Sequence, residues 1–159
     1  MKRGILITIM IGSMLLGLFG CGRRAEMTIT SVEEMTLTLT GMRGRWVYQF
    51  DGDTEQLRRC REVYSGEEDE LLLEASIFCS KQTILDLFST CEIHRWNGFH
   101  GAHPRNVQDG IMFRFEAMVN DGETVIADGS ANYPNGYHEF VRALNTMLAS
   151  DTRTEEPIG

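Results

Sequence analysis

The sequence predicts an α+β domain: a mainly antiparallel sheet of about six strands with two amphipathic helices packed on one face. Three observations predict it. Short stretches alternate apolar and polar residues with period two, two other stretches carry an apolar stripe at helical spacing, and the order along the chain is strands, helix, strands, helix. The length of 159 residues suits one domain. A hydrophobic content of 42% and a charged content of 24% exclude wholesale disorder. The net charge of −8 excludes a general nucleic-acid binder, which would approach phosphate against its own field.

The first strand falls at residues 33–40, where Met35, Leu37 and Leu39 share one face and Thr36, Thr38 and Thr40 the other. Residues 45–50 alternate likewise, with Trp46, Tyr48 and Phe50 together. Asp51-Gly52-Asp53 is turn chemistry, so residues 55–64 return as a hairpin partner, Leu57, Arg59, Arg61 and Val63 facing one way. Residues 65–70 form an acidic loop. Residues 71–78 form a further strand with Leu71, Leu73, Ala75 and Ile77 on one side. Ser80 then caps a helix whose Ile84, Leu87, Phe88 and Cys91 make one stripe. A brief strand is expected at 92–96 and a long loop at 97–109. Asn120-Asp121-Gly122 joins strands at 111–119 and 123–133, the strongest hairpin signal in the chain. Asn135 caps a closing helix with Tyr137, Phe140, Val141, Leu144 and Leu148 on its apolar face.

The N-terminus reads as an export signal. Met1-Lys2-Arg3 is a positive start, residues 4–18 are almost unbroken apolar, and Leu18-Phe19-Gly20-Cys21 follows. This ending resembles the lipobox of bacterial lipoproteins. The resemblance implies cleavage after Gly20 and a diacylglycerol on the Cys21 thiol. The competing reading is an uncleaved transmembrane helix, but the apolar run is short against the roughly 20 residues a span needs. Each buried acyl methylene contributes about 0.8 kcal/mol, and stable anchoring takes more than one chain. The expected organisation is a signal peptide at 1–20, the lipidated cysteine and a tether at 21–31, a single domain at 32–150 and a disordered tail at 151–159. Arg23 and Arg24 would lie beside anionic headgroups, each favoured by about 1 kcal/mol.

A second resemblance covers residues 93–148. Trp96-Asn97-Gly98-Phe99, then Asp109-Gly110 with Phe113 and Phe115, then Gly129-Ser130-Ala131-Asn132-Tyr133-Pro134 with Tyr137 and Phe140, is similar to an uncharacterised family of lipoproteins and secreted proteins of gut Firmicutes. Its motifs run W-D-G-F, D-G-x-x-F and G-S-N-x-F-P. This chain departs at Asn97, where the family has Asp, and at Tyr133, where it has Phe. The resemblance implies one domain and an envelope location. It transfers no catalytic residue.

Read as residues alone, Trp96, Phe99, Tyr133 and Tyr137 are large rings set among glycines. They serve either as packing or as an aromatic platform for a sugar or peptide. His94, His100 and His103 are candidate metal ligands or catalytic bases, but the segment supplies neither a Cys pair nor a helical H-E-x-x-H. Cys60, Cys79 and Cys91 allow one disulfide and one free thiol; none has a local nucleophile signature. No phosphate-cradling loop or G-x-S-x-G occurs, so no cofactor is expected. The sequence therefore points to a binding domain anchored at the extracytoplasmic face of the cell membrane, engaging an envelope protein or cell-wall ligand and no nucleic acid. The alternative is a surface hydrolase or metal-dependent enzyme using His94, His100 or His103.

Overall fold

The computed structural model describes residues 27–64 and 69–151. The signal peptide, Cys21 and the tail beyond residue 151 lie outside the described residues. In chain order come strands β1 (Val32–Gly41), β2 (Gly44–Asp51), β3 (Gln56–Tyr64) and β4 (Asp69–Phe78), helix α1 (Lys81–Thr90), a short 3-10 turn (Ile93–Trp96), strands β5 (Phe99–Gly101), β6 (Met112–Val119) and β7 (Glu123–Ser130), and helix α2 (Tyr137–Asp151). The strands form a seven-stranded sheet in the order β4-β3-β2-β1-β6-β7-β5. Every pairing is antiparallel except the parallel β5–β7 edge.

The alternation written into β1 sets the core. Leu37 stands between Tyr48 and Phe115, Met35 between Phe50 and Ala117, and Leu39 between Trp46 and Phe113. Both helices bury their stripes against this face: Ile84 and Phe88 from α1, and Phe140, Leu144 and Leu148 from α2, belong to the same core. Phe88, Phe115 and Phe140 meet edge to face, with centroids 5.9 Å, 5.9 Å and 5.7 Å apart, tying both helices to the sheet. Full burial of each such ring contributes about 1.5–3 kcal/mol. A polar clip adds direction: Tyr48 and Arg59 each donate to Asn145 Oδ1 on α2, both at 2.9 Å.

Ser80 caps α1 as its sequence predicts, its Oγ accepting the Thr83 N–H at 3.2 Å. The sheet has seven strands rather than about six, because the expected 97–109 loop contains β5. The stretch expected as a brief strand at 92–96 is instead the 3-10 turn. Glu92 adopts a left-handed φ of 54°, which reverses the chain after α1 and turns Ile93 and Trp96 inward. The 71–78 strand also departs from simple alternation. A register shift sets Arg59 opposite Ala75 but Cys60 opposite Leu73, so Glu74 is an extra residue in the ladder. Ala75 and Ile77 therefore share Leu57's side, while Leu71 and Leu73 turn to the other face. Part of the expected tether lies against the domain. Met27 and Ile29 pack on the core, and Asn120 takes the Thr30 N–H at 2.8 Å while donating to Thr28 O at 2.8 Å.

Among the described residues, the second face of the sheet carries no helix. Along β6 and β7, Met112, Arg114, Glu116, Ile126 and Asp128 point that way, and Met112 and Ile126 stay about half exposed. No described helix is long and apolar enough to cross a membrane.

Candidate functional site

The residues singled out in the sequence meet at the β5–β7 end of the sheet and at the start of α2. Trp96 is delivered by the 3-10 turn and is only 1% exposed. Its ring stands edge-on to Phe115 at 5.2 Å and Phe140 at 5.5 Å, and its Nε1–H donates to Asn135 O at 2.8 Å. Tyr137 is buried as well, stacked on Tyr133 at 4.4 Å and against Phe113 at 4.9 Å. These two rings are core. Phe99 and Tyr133 are half-buried, the Tyr133 hydroxyl donating to Ile111 O at 2.9 Å. With Pro134 they line an open depression of about 240 Å³, beside which Arg95 pairs with Glu92 at 2.9 Å. The depression has an aromatic floor and charges of both signs, suited to a flat polar ligand.

Glycine lets these elements meet. Gly101 and Gly129 face each other across the β5–β7 pair, and a Cβ on either would come within 2.3 Å of Asn132 O.

Burial raises the Tyr137 phenol well above the ordinary tyrosine range, with the neighbouring Tyr133 and Tyr48 phenols adding to the effect. An unfolded phenol ionises near about pH 10, whereas the folded one keeps its proton. The stabilisation is thus complete below that pH and is lost progressively as pH rises from there toward the raised folded value. The unfolding midpoint of the native chain is expected to fall between about pH 9 and 11 more steeply than that of Tyr137→Phe; equal slopes would refute the assignment.

The three histidines do not share a centre. His94 sits in the 3-10 turn and lines a separate cavity of about 390 Å³ with Met27, Ile29, Leu85 and Phe88. His100, on β5, pairs with Asp128 on β7 and is 79% exposed at its side chain. His103 donates from Nε2 to Val107 O at 2.6 Å, which leaves Nδ1 to accept the Ser130 hydroxyl at 2.8 Å. Among the described residues no group of three or more His, Cys, Asp or Glu side chains is placed to hold a metal ion. The His103–Ser130 pair has the order of a base and its nucleophile. However, the N–H following Ser130 already donates to Ile111 O at 3.1 Å, so it is not available to an oxyanion. The pair accordingly fastens the 102–110 loop to the end of β7.

Cys60, Cys79 and Cys91 are all buried and free. Burial raises the thiols of Cys79 and Cys91, with the Glu55 and Glu139 carboxylates adding to it respectively, so neither is an activated nucleophile.

Sequence reasoning missed Asp128 and Ser130 as partners of His100 and His103. No local signal could have found them, because the parallel β5–β7 register sets the first pair and the loop that follows β5 sets the second, each across more than twenty-five residues. Trp46 shares its face of β2 with Tyr48 and Phe50, as the alternation predicts. The Trp46 ring is half-buried at the open end of β2, lining a cavity of about 330 Å³ with Met42, Ile111 and Asp109. Compared with known proteins, the chain matches no protein-family model, and no curated protein matches it in sequence.

Proposed function

We propose that the protein is a membrane-anchored bacterial envelope lipoprotein, held at the extracytoplasmic face of the cell membrane by acyl chains on Cys21, and that its domain acts by binding an envelope protein or cell-wall ligand rather than by catalysis. The anchor reading rests on the Leu18-Phe19-Gly20-Cys21 lipobox after an apolar signal. The family resemblance of residues 93–148 points to the same compartment. One observation carries the binding reading. Trp96 and Tyr137 are committed to the core, while Met112 and Ile126 on the second face of the sheet and the Phe99–Tyr133 depression stay open to solvent.

Mass spectrometry of the membrane fraction tests the anchor. The expected product begins at Cys21 and carries the mass of at least two acyl chains, and Cys21→Ala leaves the membrane fraction. An intact Met1 with an unmodified Cys21 thiol would overturn it.

The second reading, a surface hydrolase, is favoured by the His103–Ser130 hydrogen bond alone. It requires that a serine-directed fluorophosphonate label the native chain and that Ser130→Ala abolish the labelling; an unlabelled native chain rejects it.

A further inference from the structure

The two edges of the sheet are built differently. The β5 edge is three residues long, and just before it Asn97 accepts the Ile126 N–H of β7 at 3.3 Å. The β4 edge is ten residues long and has no strand beyond it among the described residues. Its sequence, DELLLEASIF, has no Lys or Pro, the usual guards of an exposed edge. The ladder shift at Glu74 leaves Leu71 and Leu73 together on the face away from the helices, at 51% and 54% exposure, with Leu72 on the opposite face at 57%, and Phe78 at the far end is exposed too.

We propose that β4 is a docking strand for an extended segment of a partner protein, which adds antiparallel as a further strand, lays apolar side chains on Leu71 and Leu73, and carries Lys or Arg at its C-terminal end. This rests on the binding reading above and deepens it by naming the surface and the partner's chemistry. Edge addition satisfies backbone groups that no described strand pairs on the outer side of β4, and alternate side chains supply specificity. Charge selects the occupant. Asp69, Glu70 and Glu74 are the only ionisable residues of β4. Glu74 is taken by Arg59 at 3.0 Å, so the other described carboxylate of the strand, Glu70, lies toward its N-terminal end, within the acidic run Glu67-Glu68-Asp69-Glu70 of the sequence. An antiparallel partner places its own C-terminal end there. The cations of β3 do not reverse this. Arg58 is bonded to Gln56, Arg59 to Glu74 and Asn145, and Arg61 lies opposite Leu72, toward the middle of the strand. A second copy of the chain is the poorer occupant. It brings the same acids and no cation, and pairing centred on Leu72 sets Glu70 against Glu74.

The test is amide hydrogen exchange across the whole chain, purified in detergent, with two synthetic octapeptides of alternating valine and threonine. One ends in two lysines, the other in two glutamates. The lysine peptide is expected to slow exchange in β4 by about tenfold at saturation and to bind several-fold more tightly than the glutamate peptide, a preference that shrinks in high salt. Leu71→Lys with Leu73→Lys is expected to abolish the protection while leaving the unfolding midpoint unchanged. Protection of β6 or β7 instead of β4 overturns the edge assignment and leaves the binding reading standing. No protection anywhere, or equal protection by both peptides, overturns the partner chemistry proposed here. Protection of β4 without peptide that grows with protein concentration assigns the edge to a second copy and overturns it as well.

Discussion

Trp96→Ala is expected to cost about 3–5 kcal/mol, the range for removing a large ring from a filled core. The indole is enclosed by Phe115, Phe140 and Tyr137, which come from β6 and α2. Truncation therefore empties the place where sheet, 3-10 turn and closing helix meet. It also removes the N–H that satisfies Asn135 O, leaving that carbonyl without its donor at the start of α2. Trp96→Phe separates the two effects. It restores most of the ring but not the donor, and is expected to cost about 1–3 kcal/mol. Urea denaturation followed by far-ultraviolet circular dichroism measures both. A loss below about 1 kcal/mol for the alanine variant would mean that the ring is not the hub described here.

Gly136→Ala is expected to cost about 2–5 kcal/mol, although it adds only one methyl group. Gly136 has a φ of +79°, a region where a Cβ costs about 1–2 kcal/mol. The added Cβ would also stand 2.4 Å from Cys91 O, a backbone atom at the C-cap of α1 that cannot rotate away. Relieving that overlap separates the end of α1 from the start of α2, and overpacking of this kind costs about 1–3 kcal/mol more. Phe140 N–H donates to Gly136 O at 2.9 Å, so the strain is passed into the first turn of α2. Thermal unfolding provides the comparison. Gly122, where φ is also positive but nothing lies within 4 Å of the added Cβ, serves as the control. Gly122→Ala carries only the conformational part, so equal losses at both sites would remove the steric argument.

The regular elements were legible where their cause is local. Alternation in β1, β2 and β3, the Ser80 cap, the apolar stripes of both helices and the Asn120–Gly122 turn depend on near neighbours, and the structure follows them. The errors have a different origin. Residues 92–96 alternate enough to pass for a strand, but the left-handed φ at Glu92 and the burial of Trp96 under α2 make a turn of them. In β4 the leucines obey period two, yet pairing with β3 inserts an extra residue at Glu74 and moves them to the opposite face. The histidines were close in sequence, and proximity along the chain suggested a common centre. The parallel β5–β7 pairing gives His100 to Asp128, the 102–110 loop brings His103 to Ser130, and the 3-10 turn sends His94 toward α1.

By itself, the amino-acid order determined the α+β class, the faces of β1 and of both helices, and the expectation of an anchored N-terminus, because those depend on hydrophobic period and short motifs. Only the tertiary structure decided which aromatic rings are core, which imidazoles meet which partners, and which sheet edge is left open. Those outcomes are set by strand register and packing between segments far apart in the chain, where a single extra residue reverses the direction in which a side chain points.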